Sequence, residues 1–139
     1  MEDAIAKSCD VYFYELAHRL EVDHMAEFLA PFGYGKPTGI DISGELSGIL
    51  PSRDWKKRRF KRRGEQIWFP GETVNFGIGQ GYVTATPLQM ALVTAAVANG
   101  GNLLIPHVVR EIKDSNGRVV GPNQQWIRRN LGIDQKNLT

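Results

Sequence analysis

Apolar positions recur three and four residues apart between Val11 and Leu20. Val11, Phe13, Tyr14, Leu16, Ala17 and Leu20 form one stripe, so residues 8–20 are expected to be helical with Ser8 as the N-cap. Glu21 and Val22 break the pattern. Asp23 is the next capping candidate, and Met25, Phe28, Leu29 and Phe32 carry a second helix over about residues 24–32, stopped by Gly33 and Gly35. Pro31 lies late in that segment and removes an amide donor, which should kink the helix or end it early. Together the two segments make a helical hairpin.

Between residues 36 and 83 the apolar runs are short and punctuated by Gly and Pro, so the segment reads as a long loop with at most one helical turn near Ser52–Lys56. Loops of this length in compact domains are usually functional or pack over a site built elsewhere. Thr86-Pro87-Leu88-Gln89 is then a capping box with proline at the first helical position, and it opens an almost wholly apolar helix over 87–98 that Asn99-Gly100-Gly101 ends. A helix apolar all round is normally buried on every side, which asks for more covering chain than a fragment this small readily supplies. Residues 103–112 read as a strand, Asp114-Ser115-Asn116-Gly117 as a turn and 118–120 as the returning strand, giving a β-hairpin over about 103–120. Beyond Pro122, the segment with Trp126 and Arg128-Arg129 is ambiguous by pattern, a helical start being one reading. The fold class is therefore α+β and α-rich.

The 139 residues suit one ordinary domain. Yet the chain opens on a helix already under way, with no capping residue before Glu2, and closes on the polar run from Asp134 to Thr139, so both ends read as cuts. No stretch approaches the roughly 20 apolar residues of a membrane span, and the N-terminus lacks the basic and apolar regions of a signal peptide. The single cysteine, Cys9, excludes an intrachain disulfide, and a zinc site would need further ligands from His18, His24, His107 or carboxylates. His18 and His24 are six apart, which does not place them on one helix face.

The net charge of +2 hides an uneven distribution. Residues 55–63, Trp-Lys-Lys-Arg-Arg-Phe-Lys-Arg-Arg, hold seven of the 17 basic residues and leave the rest of the chain acidic. With two aromatics interleaved, the run from Lys56 to Arg63 can be read as a nucleic-acid contact or as a solvated loop near anionic lipid or polymer. The glycines at 77, 79 and 81 do not fit the dinucleotide spacing, and no Walker lysine follows them. A serine nucleophile needs a base beside it, but none of the five serines has lysine three positions on, and Lys36-Pro37-Thr38-Gly39 carries a proline inside what would be K-T-G. What remains is Ser8-Cys9-Asp10, which sets a hydroxyl and a carboxylate two residues apart at the head of a helix. It can be read as an ordinary cap, or as a pair that relays a proton or holds a substrate amide.

Taken with the strings that follow it, the segment Ala4-Ile5-Ala6-Lys7-Ser8-Cys9-Asp10-Val11-Tyr12-Phe13-Tyr14 resembles the second active-site motif of the class B penicillin-binding proteins. Phe32-Gly33-Tyr34-Gly35, Thr38-Gly39-Ile40-Asp41, Gly48-Ile49-Leu50-Pro51 and the run from Gly77 to Met90 come in that family's order, and the likeness to its elongation-type D,D-transpeptidases covers about residues 4–113. The resemblance implies a fragment of the penicillin-binding, serine β-lactamase-like fold. It also implies a site of three motifs, S-x-x-K, S-x-N and K-[ST]-G, of which only the middle one is present, as S-x-D.

In that reading Ser8 bonds the catalytic lysine and passes a proton, and Asp10 stands where asparagine is usual and orients lysine or substrate. Cys9 would be either a buried, inert thiol or one ligand of a zinc site whose upstream ligands are missing here, the former being preferred for this chain alone. The basic run falls on a family loop that begins Trp-Lys, which weighs against nucleic acid. The implied parent is anchored in the inner membrane by a segment outside this chain, works in the periplasm, cross-links peptidoglycan stem peptides, binds β-lactams, partners elongation-machinery proteins and needs no cofactor for catalysis. This slice alone is expected to be inactive. A nucleic-acid-binding module or a purely structural interaction domain are the competing classes.

Overall fold

A computed structural model describes residues 1–121 and 126–137. The elements are α1 (Glu2–Ala6), α2 (Asp10–Leu20), α3 (Val22–Leu29), α4 (Arg53–Arg59), α5 (Pro70–Gly77), α6 (Pro87–Ala98), β1 (Asn102–Ile105) and β2 (Trp126–Asn130), with short 3-10 turns at Ala30–Phe32, Arg63–Gln66 and Gln135–Asn137. They form two compact units: Met1–Gly35 with Gly48–Ala85, and Lys36–Ser47 with the chain from Thr86 onward. No helix among the described residues is long and apolar enough to cross a membrane.

In the first unit α2 packs against α5, and Ala17, Val22, Ala26, Phe32 and Phe76 are buried. α2 begins at Asp10, two residues after the start expected for the helix over 8–20. Cys9, not Ser8, occupies the N-cap position, and Ser8 has left-handed backbone with φ 49°. Asp23 is likewise not a cap: α3 starts at Val22, and the Asp23 carboxylate instead accepts from the Arg53 amide at 3.0 Å and the Arg53 guanidinium at 2.6 Å. The α-helix ends at Leu29, and Pro31, with no amide to give, sits in the 3-10 turn that Gly33 closes at φ 94°.

The long loop expected over 36–83 is corrected most. Two helices interrupt it. Ser52 caps α4, its hydroxyl accepting from the Trp55 amide at 3.0 Å, and the helix runs past the single expected turn to Arg59. α5 starts at Pro70, with the Glu72 carboxylate accepting from the Phe69 amide at 2.8 Å. The extension of α4 beyond its expected turn is hidden by its mainly charged composition, and α5 is hidden by the glycines near both its ends.

In the second unit, Gln89 of α6 works as a stitch. Its side-chain amide donates to the carbonyls of Lys36 at 2.9 Å and Ser47 at 2.8 Å, fastening both ends of the 36–47 segment, while its oxygen accepts from the Thr86 amide at 2.8 Å. α6 is incompletely covered among the described residues, Met90 being 54% and Val97 43% exposed, in line with a wholly apolar helix that asks for more covering chain than a fragment this small supplies.

The expected hairpin over 103–120 is also corrected. β1 pairs antiparallel with β2, Leu104 opposite Ile127 and Ile105 opposite Trp126, so the Trp126 segment is strand and not helix, while Pro122 lies outside the described residues. The turn at 114–117 does form, with a single bridge between Lys113 and Val119, but the strand leading to it stops at Pro106. Proline cannot donate to a ladder. Just beyond it, the amides of Val108 and Val109 are taken by the Asp41 carboxylate, at 2.7 and 3.0 Å.

Those two amides hold the Asp41 carboxyl below the ordinary carboxylate range. Burial pushes Glu45 up, but hydrogen bonds from Thr38 and from the Gly39 amide outweigh it, so Glu45 also lies low. A carboxylate depressed on folding contributes stability above its unfolded value, near pH 4, and that stability is lost as pH falls through the lower folded value. Exchange protection of the Val108 and Val109 amides, normalised to intrinsic rates, should therefore fall as pH drops below about 4, and in Asp41→Asn, which keeps one acceptor oxygen and does not titrate, it should be weaker and lose this pH dependence; pH-independent protection in the unaltered chain would show that the carboxylate does not hold them.

Candidate functional site

At the head of α2, the amide of Cys9 donates to the Ala4 carbonyl at 2.8 Å and that of Ser8 to Ile5 at 3.2 Å, closing α1 against the start of α2. This closure requires a left-handed residue between the helices, and Ser8 supplies it without glycine's freedom. Ser8, Cys9 and Asp10 are all exposed. Among the described residues no side-chain hydrogen bond engages Ser8 or Asp10, and Asp10 lies in the first turn of α2, where the helix dipole favours a negative charge. The structure thus keeps a hydroxyl and a carboxylate together, uncommitted, at one helix end.

Two contacts fix where that helix end lies within its unit. Gly77, at the end of α5, approaches α2 so closely that a Cβ there would overlap the Cβ of Ala17 and sit 3.1 Å from the Phe13 carbonyl oxygen. Only glycine fits. α5 is in turn tied to α4 by a buried ion pair between Lys56 and Glu72, and the Lys56 ammonium also donates to the Ile67 carbonyl at 2.7 Å. That ammonium lies over the rings of Phe69, Tyr82 and Trp68, 5.3, 5.4 and 5.7 Å from their centroids. Tyr82 packs on Trp55 at 5.3 Å and on Phe60 at 5.8 Å, and the Trp68 indole donates to Thr73 Oγ1 at 2.8 Å.

Sequence reasoning missed Lys56. Within a run of seven cations it looks like solvated charge, yet it is almost fully buried. The available signal was the density of aromatics around it, at positions 55, 60, 68 and 82. The glycine-rich segment serves the same cluster. After α5 the chain turns through Gly79 and Gly81, at φ 74° and 78°, and arrives at Tyr82.

The other candidates do not assemble. Thr38 of the K-T-G look-alike is buried off any strand, its amide donating to Glu45 at 2.6 Å. His18 and His24 are exposed on α2 and α3, and His107 bonds the Val109 carbonyl at 3.0 Å. No group of three His, Cys, Asp or Glu side chains suited to a metal forms among the described residues, so Cys9 gains no companions and the residues present do not fit zinc.

Residues 1–137 match the penicillin binding protein transpeptidase domain. The peptidoglycan D,D-transpeptidase MrdA of Salmonella typhimurium is 43% identical over 119 residues, covering 86% of this chain and 18% of the relative. The MrdA of Acinetobacter baumannii is 39% identical, with 92% of this chain and 20% of the relative covered. The chain thus spans about a fifth of the length of these curated relatives. Among solved structures, Pseudomonas aeruginosa PBP2 in complex with WCK 5153 superposes with a TM-score of 0.75 at 39% identity, covering 99% of this chain and 29% of that one. Helicobacter pylori PBP2 gives 0.76 at 32% identity, covering 98% and 23%. On a match that runs from the Ser8-Cys9-Asp10 turn through both compact units, the chain belongs to the penicillin-binding protein transpeptidase family, its relatives being enzymes of the PBP2 type.

Proposed function

We propose that this chain forms one wall of the active cleft of an elongation-type peptidoglycan D,D-transpeptidase, with Ser8 and Asp10 as its working side chains. The observation that carries the reading is the left-handed Ser8 between α1 and α2, with its hydroxyl and the Asp10 carboxylate exposed and unspent. Strained backbone at a non-glycine residue is found preferentially where function holds it.

The reaction is acyl transfer in two steps. A serine hydroxyl outside these 139 residues attacks the carbonyl of a D-Ala-D-Ala stem peptide; the peptide bond breaks, an ester forms, and D-Ala leaves as an amine that must gain a proton. The amine of a neighbouring stem then attacks the ester, and the serine regains its proton. A hydroxyl both donates and accepts, so Ser8 can pass the proton from the catalytic lysine of the S-x-x-K motif to the leaving amine. The Asp10 carboxylate favours a charged lysine beside it and can accept from a substrate amide. No metal or cofactor is needed for either step.

β-Lactams acylate the same serine. The intact protein is expected on the periplasmic side of the inner membrane, held by an anchor outside these residues. Partners among elongation proteins are supported by the solved complex of Helicobacter pylori PBP2 with MreC and by the relation to a peptidoglycan synthase complex. No nucleic acid takes part. Because S-x-x-K is absent from these residues, a fluorescent penicillin should label the intact transpeptidase and leave the purified 139-residue chain unlabelled. Covalent label on the chain would reveal a nucleophile within it and overturn this reading.

A further inference from the structure

We infer that the face formed by α4 and the turn after it is a docking surface for an anionic lipid bilayer. The inference is independent of the role given to Ser8. Six of the seven cations in the run from Lys56 to Arg63 are exposed, Lys56 alone being buried. Among the described residues, Arg58, Arg59, Lys61 and Arg63 form no ion pair, and the pairs of Lys57 with Asp54 and Arg62 with Glu65 are loose, at 3.7 and 3.8 Å, between well-exposed side chains. Contacts of that kind contribute little and yield readily to another anion.

Two of these cations, Lys57 and Arg63, line with Arg53 and Ile67 a concavity of about 500 Å³. Ile67 and Phe69, 54% and 53% exposed, lie on the same segment. Cations beside exposed apolar side chains match the boundary between head groups and acyl chains.

The alternative polyanion, single-stranded nucleic acid, needs aromatic faces free to stack on bases. Here Trp55, Phe60, Trp68 and Tyr82 are packed on one another, and the Lys56 ammonium lies over the rings of Trp68 and Tyr82. The aromatics that suggested stacking are already used inside the fold. What faces outward is charge with a small apolar edge, which suits a lipid surface.

The test is sedimentation of the 139-residue chain with vesicles of phosphatidylglycerol and phosphatidylcholine, with pure phosphatidylcholine vesicles and a single-stranded RNA oligonucleotide as the other arms, at low and physiological salt. Binding to the anionic vesicles should exceed binding to neutral ones by about 100-fold and weaken with salt. Each of the single replacements Arg58→Gln, Arg59→Gln and Lys61→Gln, exposed and therefore tolerated by the fold, should cost about fivefold, and the triple variant about 100-fold. Equal binding to both vesicle types, unchanged binding by these variants, or tighter binding to the RNA than to anionic vesicles would each overturn the inference.

Discussion

Lys56→Met should destabilise the unit containing α4 and α5 by about 3 kcal/mol, one of the larger losses a single substitution could cause in this chain. Methionine keeps most of the apolar stem and removes the ammonium. Glu72, only 20% exposed, would then lose its counter-charge while retaining the Phe69 amide. The Ile67 carbonyl would lose its donor, and the rings of Phe69, Tyr82 and Trp68 would lose the cation between them. Removing one member of a buried pair costs more than the pair contributes, because the other charge stays desolvated. The double variant Lys56→Met with Glu72→Gln should therefore recover a large part of the loss. Urea denaturation followed by fluorescence of the clustered Trp55 and Trp68 reads both. A loss below about 1 kcal/mol, the range of an exposed ion pair, would mean that solvent screens the contact.

The second large effect falls on rate and not on stability. Ser8→Ala in the intact transpeptidase should slow acylation by about 10²–10⁴-fold, the usual contribution of a positioned proton-transfer group. Ser8 is exposed and makes no side-chain hydrogen bond among the described residues, so its removal should leave the melting temperature nearly unchanged. Ser8→Gly separates the two roles. It should lose the same rate as alanine while gaining up to about 1 kcal/mol of stability, since glycine takes the left-handed conformation without strain. A serine acting only as a helix cap would show the opposite, with rate intact and stability reduced. Cys9 already occupies the cap position, which agrees with the first outcome.

Local signals in the sequence located what is local in the structure. α6 begins at Pro87 because its capping box and proline act within four residues, and α3 gives way at Pro31 because proline removes a donor wherever it stands. The errors arose where distant partners decide. The strand after Leu103 reads as continuous through Ile112, but Asp41, far away in sequence, takes two of its amides, and β2 pairs with what remains. Asp23 looks like a cap until Arg53, thirty residues on, claims its carboxylate. Lys56 reads as surface charge because nothing in the run itself announces that Glu72, Trp68, Phe69 and Tyr82 close around it. The candidate site shows the same division. Ser8-Cys9-Asp10 is visible as a motif, but its support through Gly77, α5 and the Lys56–Glu72 pair is tertiary.

The second-order rate constant for acylation of the intact transpeptidase by a fluorescent penicillin, compared between the unaltered protein and Ser8→Ala at matched melting temperature, tests most directly whether this helix end is a working wall of the cleft. A fall of about 100-fold or more with the fold unchanged is the expected result. Acylation within threefold of the unaltered protein would contradict it and leave Ser8 with no chemical role.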